Sequence, residues 1–262
     1  MQNMMEPIVF CIFCSLQLGR HPETEWLWAQ WTASISTAEA VLFRHSMASH
    51  RLFVGQKEGR SEQDQFDHLV CFLGGALALS ASAMADAAGE GAVRRKHLEF
   101  GRNLTESCWS IYESTPSGLA PEIVYFSRSD RSHDFDIHSR DKHNLLRPET
   151  VESLFYLFRI THDEKYRVWG YRIFCAFREF TKMDGVHGGY GSINDVTVRS
   201  KEEVTFRDDK MESFFLAETL KYLFLLFADD DVLPLKDYVF NTEAHPLPVH
   251  DQRVIDVCLN TE

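Results

Sequence analysis

The sequence predicts an all-α protein with one small β-hairpin. Three observations carry that reading. Apolar residues recur at helical spacing along most of the 262 residues. The strongest stripe, Val151, Leu154, Phe155 and Phe158, runs from an acidic helix start. The stretches that break the period are turn-rich loops rather than alternating strands.

The spacing predicts helices near 24–32, 38–48, 67–86, 92–113, 148–160, 164–181 and 211–227, with a shorter one near 234–239. Asp67 is placed to cap the third, Asp163 the sixth, and Asp208 or Asp209 the seventh. The helices read as successive hairpins without a solenoid repeat. Between them, residues 127–142 are crowded with Arg, Asp, Ser and His. His133, Asp134, Asp136, His138 and His143 resemble a transition-metal set, but a solvated polar loop accounts for them, since nothing fixes their geometry. Residues 185–195 (GVHGGYGSIND) form the hairpin candidate. They lack the Lys-Ser/Thr that a phosphate loop needs, so nucleotide binding is not expected there.

With 27 basic against 39 acidic residues the formal net charge is −12, which argues against nucleic acid as a partner. Hydrophobic residues at 44% allow a substantial core. Six cysteines do not make a disulfide-dense scaffold. Cys11 and Cys14 form a CxxC with apolar flanks and no second pair, which reads as two ordinary thiols; Cys175 reads as core. Asn103-Leu104-Thr105 is a glycosylation sequon inside an expected helix. The apolar run 8–16 is too short to span a bilayer and lacks the basic flank of a signal peptide. No membrane-spanning or targeting segment is expected in the chain.

The most informative stretch is Leu146-Arg147-Pro148-Glu149-Thr150-Val151-Glu152-Ser153. Pro148 fits the first helical position. Glu149 and Glu152 then project from one flank of the first turns, where the helix dipole favours their ionised forms. Such carboxylates can hold a water, a sugar hydroxyl or a hard cation. Capping of the helix end explains the same residues without function. Four further segments stand out: Asp67-His68-Leu69-Val70-Cys71, Pro121-Glu122-Ile123-Val124, Lys210 to Thr219 (KMESFFLAET), and Phe240-Asn241-Thr242-Glu243-Ala244-His245-Pro246. Phe214 and Glu218 sit four apart, so an apolar platform and an acceptor share a helix face.

In this order the five motifs resemble the class I α-1,2-mannosidases of glycoside hydrolase family 47, from about Ala38 to Val249. The wording RPETVES, RDDKMESFF and VFNTEAHPLP is most similar to the endoplasmic-reticulum members, with Golgi members close behind. The resemblance implies an (α/α)7 barrel with a calcium ion at its base. It implies inverting hydrolysis of terminal α-1,2-linked mannose from high-mannose N-glycans on glycoproteins, Man9GlcNAc2 to Man8GlcNAc2, in N-glycan processing and quality control. It places the general base at Glu149, with Arg147 holding substrate hydroxyls or orienting a carboxylate. Thr242 corresponds to the direct calcium ligand. Glu122, Glu152, Glu218 and Glu243 correspond to acids that hold calcium-bound waters or sugar hydroxyls, and His68, Leu69 and Phe214 to the lining of the mannose pocket. Cys71 and Cys108 correspond to a family disulfide, with free buried thiols as the alternative reading. A calcium site with one threonine ligand leaves positions open for sugar and water, as an ion with six to eight oxygen ligands permits.

Each residue also has an ordinary reading: Glu218 as a satisfied core acid, His68 as a helix-start residue, Thr242 as a loop threonine. Residues 1–37 carry none of the family's motifs, so the expected organisation is a divergent segment 1–37, a catalytic part 38–249 and a tail 250–262. The family's general acid belongs to a half without counterpart here, so the expected barrel is incomplete and the polypeptide alone is expected to have little activity. The alternatives are a non-catalytic calcium-dependent mannose-glycan-binding module and a helical scaffold without a sugar site. The resemblance places the protein in the endoplasmic-reticulum or Golgi lumen, its parent enzyme membrane-anchored.

Overall fold

A computed structural model describes residues 25–84, 90–184 and 188–249. The Cys11–Cys14 pair, the apolar run 8–16, most of segment 1–37 and the tail 250–262 lie outside the described residues, as do 185–187 of the hairpin candidate. The chain divides into a larger unit, residues 43–227, and a smaller one, residues 1–42 with 228–262.

The larger unit is built on α2 (Phe72–Ala83), α3 (Glu90–Ser114), α4 (Glu149–Thr161), α5 (Lys165–Phe180) and α6 (Leu220–Phe227). The expected helices near 92–113, 148–160 and 164–181 match α3, α4 and α5 within two residues. The third begins as predicted at Asp67, whose carboxylate accepts from the Leu69 N–H. A 3-10 turn, His68–Cys71, precedes the α-helix proper. Asp163 likewise accepts from the Lys165 N–H at the start of α5.

Helix α4 is central, with Val151, Leu154, Phe155, Tyr156 and Leu157 at most 1% exposed. It docks on α2 through Ser153, whose hydroxyl donates to the Cys71 carbonyl and accepts from the Gly75 N–H. Helices α2 and α3 approach so closely that a Cβ at Gly101 would lie 2.7 Å from the Gly74 carbonyl oxygen. The Cys71–Cys108 disulfide joins the 3-10 turn to α3. Cys175 is a free thiol.

Strand content exceeds the single expected hairpin. β1 (Phe43–His45) pairs antiparallel with β2 (Leu52–Val54), β3 (Gln56–Glu58) with β4 (Ser61–Gln63), and β5 (Gln65–Asp67) with β6 (Ile123–Phe126), which pairs in turn with β7 (Phe135–Asp136). Phe126 stacks on Phe53 and meets Phe66 edge-on, so the small sheets share an aromatic core. Tyr190 of the hairpin candidate forms an antiparallel bridge with Lys182, which precedes the candidate.

Four expectations are corrected. Residues 24–32 and 38–48 do not form two helices: α1 (Glu25–Val41) is continuous, and 43–45 is strand. The Ser/Thr run that interrupts the apolar period is absorbed by back-bonding, with Thr32 donating to Trp28 and Thr37 to Ala33 carbonyls. The seventh helix starts at Ser213, beyond reach of caps at Asp208 or Asp209, and Phe215–Thr219 is a π-helical turn. Residues 234–239 are not a helix: 234–237 form a turn leading into β8 (Tyr238–Phe240), which pairs with β9 (Pro246–Pro248) in the smaller unit. Pro148 flanks α4 rather than opening it, its carbonyl accepting the first helical bond from Glu152.

In the polar loop, His133 lies between Asp130 (3.4 Å) and Asp136 (3.1 Å), and Asp134 accepts from the Ser46 hydroxyl. Among the described residues no group of three or more His, Cys, Asp or Glu side chains is arranged to hold a metal, and no helix is long and apolar enough to cross a membrane.

Gly101→Ala is expected to lower stability by about 1–3 kcal/mol, because the added methyl meets backbone rather than a movable side chain. Replacing Cys71 and Cys108 by Ser is expected to cost about 2–4 kcal/mol by freeing a long loop in the unfolded chain. Urea denaturation followed by circular dichroism tests both, and unchanged midpoints would refute the close helix contact and the bridge.

Candidate active site

The carboxyl end of β5, the amino end of β6 and the amino end of α4 meet in the larger unit. Register brings Asp67 opposite Ile123, so His68 and Glu122 flank the end of the strand pair. The His68 N–H donates to the Glu122 carbonyl (2.9 Å). The Glu122 N–H is shared between the carbonyls of His143 and Asp141.

The loop from 143 delivers α4 to this point. Leu146 takes a left-handed conformation, φ 62°, although it has a branched side chain and is fully buried. Three bonds hold it there. Asn144 accepts from the Leu146 N–H through Oδ1 and donates through Nδ2 to the Ala120 carbonyl. The Thr219 hydroxyl donates to the Leu146 carbonyl (2.7 Å). Strain of this kind persists only where surroundings over-determine it. Here it reverses the chain immediately before Arg147.

Two acid–base pairs result. Arg147 Nε donates to Glu122 Oε2, a carboxylate 8% exposed. Burial works against the Arg147 charge, but Glu122, Glu149 and Asp67 outweigh it and raise its pKa. The same guanidinium lies 5.9 Å from the Phe214 ring centroid. In the second pair, His68 Nδ1 lies 2.9 Å from Glu149 Oε2. Glu149 keeps 12% of its side chain exposed, while His68 keeps 4%.

Glu152 is one turn further into α4 and accepts from the Tyr222 hydroxyl (3.3 Å). Enclosure, then the neighbouring Glu149 and Glu218 carboxylates, push its pKa well above the ordinary range. The expectation that the helix dipole keeps it ionised is therefore corrected: crowding of three acids in an enclosed space outweighs a dipole effect of about 1 kcal/mol. These acids are not arranged as a set of direct metal ligands, so a hard cation near them would meet them through its bound waters.

Phe214 and Glu218 are both half-buried on one strip, whereas Phe215 and Thr219 point into the core. The π turn widens the helix at this strip, a deformation often found at functional positions. Leu69 is half-buried beside His68. The structure thus brings His68, Glu122, Arg147 and Glu149 together, with Glu152 coupled electrostatically to Glu149 and to Glu218. Thr242 and Glu243 belong to the smaller unit. They are exposed on the β8–β9 turn, where Asn241 Oδ1 accepts from the N–H groups of Glu243 and His245.

Sequence reading missed Tyr112, Thr150, Asn144, Leu146 and Thr219. Leu146, Thr150 and Thr219 lie inside segments singled out for other residues, Tyr112 and Asn144 lie in none of them, and Tyr112 reads only as part of an apolar stripe. Its hydroxyl lies 2.8 Å from His68 Nε2, a contact across 44 residues of sequence.

The profile of Glycosyl hydrolase family 47 matches residues 13–249, beginning upstream of Ala38. The chain is 46% identical over 234 residues to the endoplasmic reticulum mannosyl-oligosaccharide 1,2-alpha-mannosidase of Homo sapiens, covering 88% of this chain and 32% of that protein. It is 46% identical over 234 residues to a mannosyl-oligosaccharide 1,2-alpha-mannosidase of Arabidopsis thaliana, covering 80% and 36%. Among solved structures, the alpha-1,2-mannosidase from Trichoderma reesei matches with a TM-score of 0.78 at 27% identity, over 93% of this chain and 51% of that one. The chain therefore spans about a third of the length of the curated relatives it matches. The likeness assigns its helices to part of an (α/α)7 barrel.

Arg147→Met leaves the Glu122 carboxylate enclosed without its partner and is expected to cost about 1–3 kcal/mol. Adding Glu122→Gln should recover part of that loss. A double-mutant cycle by urea unfolding measures the coupling, and additive losses would show that the pair contributes nothing.

Proposed function

Since this chain belongs to glycosyl hydrolase family 47, we propose that it carries the general-base side of an inverting α-1,2-mannosidase site acting on high-mannose N-glycans. The observation that carries this reading is the enclosed His68–Glu149 pair beside Arg147–Glu122. A carboxylate held by one donor keeps an oxygen to accept a proton from water. The adjacent guanidinium offers donors that suit sugar hydroxyls, and Phe214 beside it offers an apolar face to the sugar's C–H surface. The names of the relatives, which are mannosyl-oligosaccharide 1,2-alpha-mannosidases, support the substrate class.

In this reading Glu149 deprotonates a water that attacks the anomeric carbon, while an acid protonates the leaving oxygen. The finer assignment is the step from Man9GlcNAc2 to Man8GlcNAc2. Calcium is the proposed cofactor. Thr242 would be its direct ligand, with Glu149, Glu152, Glu218 and Glu243 accepting from its waters or from sugar hydroxyls. The ion, when bound, would orient sugar and water and acidify that water. Leu69 and His68 would line the mannose pocket. The disulfide and the endoplasmic-reticulum relatives support a place in the secretory lumen, in the endoplasmic reticulum or Golgi.

A second reading is a calcium-dependent mannose-glycan-binding module without turnover. It is favoured by the absence, within these 262 residues, of any motif matching the family's general acid.

Incubation of the chain with Man9GlcNAc2, followed by glycan profiling and proton NMR of released sugar, separates the readings. Mannose appearing first as the β-anomer supports an inverting hydrolase, and calorimetric binding without release supports the module. Neither turnover nor binding would remove both. Glu149→Gln is expected to lower kcat at least about 100-fold, the usual contribution of a general base, with binding retained. Calcium at 100 times its dissociation constant should add about 2.7 kcal/mol of stability, lost in chelator. Thr242→Ala should shrink that increment, and an increment unchanged in Thr242→Ala would rule out Thr242 as the ligand.

A further inference from the structure

Tyr112 lies near the end of α3, is 1% exposed and belongs to no motif. Its hydroxyl is 2.8 Å from His68 Nε2, and Thr150 Oγ1 is 3.3 Å from the same nitrogen. The opposite ring nitrogen, Nδ1, is 2.9 Å from Glu149 Oε2. The imidazole is therefore gripped at both ends, by α3 on one side and by the first turn of α4 on the other. The disulfide reinforces this clamp: Cys71 follows His68 by three residues and Cys108 precedes Tyr112 by four.

On the reading of Glu149 as the base, we propose that Tyr112 is a positioning residue for it. The Tyr112 hydroxyl donates to His68 Nε2 and so anchors to α3 the Nδ1–H tautomer that the Glu149 carboxylate selects; through that N–H the ring holds Glu149 Oε2, leaving Oε1 as the oxygen presented to water.

The chemistry follows from donor counting. An ionised carboxylate only accepts, so the nitrogen that faces it carries the proton. A neutral imidazole then has one acceptor left, Nε2, and it faces a phenol. Burial, then the Glu149 charge, push the Tyr112 pKa upward, so the phenol keeps its proton and remains a donor. A glutamate in the first turn of a helix has several rotamers open to it. Tying one oxygen to a ring that is itself tied to α3 selects one of them. Misplacement of a reacting group by about 1 Å costs on the order of 100-fold in rate, so such a tether acts on kcat.

The test uses the full chain labelled with nitrogen-15 histidine at neutral pH. Ring-nitrogen NMR reads which nitrogen of His68 bears the proton, and the His68→Gln spectrum identifies its signals among the twelve histidines. Wild type is expected to show protonated Nδ1 and bare Nε2. Tyr112→Phe, which keeps the ring and removes only the hydroxyl, is expected to leave Nδ1 protonated and to shift the His68 Nε2 signal, which loses its phenol donor, while the other histidines keep their shifts. A protonated Nε2 in wild type overturns the proposal without any variant having to fold, and so does an unchanged Nε2 signal in Tyr112→Phe. Turnover of Man9GlcNAc2 is a separate readout. The expected ring pattern without turnover supports the tether and favours the binding-module reading over hydrolysis by this chain. Turnover with kcat lowered about 10- to 100-fold and KM unchanged in Tyr112→Phe supports both. Turnover untouched by Tyr112→Phe removes Tyr112 from the catalytic geometry.

Discussion

The docking of the first turn of α4 against the end of the β5–β6 strand pair is the constraint on which the site depends. It puts four ionisable side chains from three sequence segments into partly enclosed space. Each then needs a partner, because an unpaired buried charge costs several kcal/mol. The partners are specific: Arg147 with Glu122, and His68 with Glu149. Neither pair can form unless β5 and β6 are in register and Leu146 turns the chain correctly. The pairs thus link the small sheets to the helices and define the acid–base character of the site.

Glu152 tells a complementary story. Glu152 is driven toward its neutral form by enclosure and by Glu149 and Glu218. An apolar core tolerates such crowding poorly, and a protein of family 47 has a use for it. In the proposed site these carboxylates would supply acceptors for a hydrated cation and for sugar hydroxyls. The π turn at Phe215–Thr219 contributes by setting Glu218 and Phe214 on one strip, while Thr219, on the core side, supports the strained Leu146 carbonyl. One deformation serves both the binding surface and the loop that carries Arg147.

Much was legible in local pattern. Asp67 capping the His68 turn, the acidic start of α4 and the long amphipathic α3 follow from near-neighbour chemistry, which spacing reports directly. Other elements misled for identifiable reasons. The hydroxyls of Thr32 and Thr37 disguised a continuous helix as two, because their back-bonding leaves no trace in hydropathy. The strands at 43–67 are three residues each, too short for alternation to rise above a helical reading. Residues 234–239 lost to a turn because β8 is recruited by β9 across the Asn241 turn, a pairing that local propensity does not encode.

By itself the sequence determined the family, the identity of the acids at the start of α4, and the places where helices begin, since these depend on residue type and spacing along a few turns. Only the tertiary structure decided that Glu149 meets His68, that His68 meets Tyr112, and that Glu152 loses the benefit of its helix dipole. The two contacts of His68 depend on distance through space between residues 81 and 44 positions apart. They also depend on how much water the packed helices exclude, and no pattern along the chain reports either quantity.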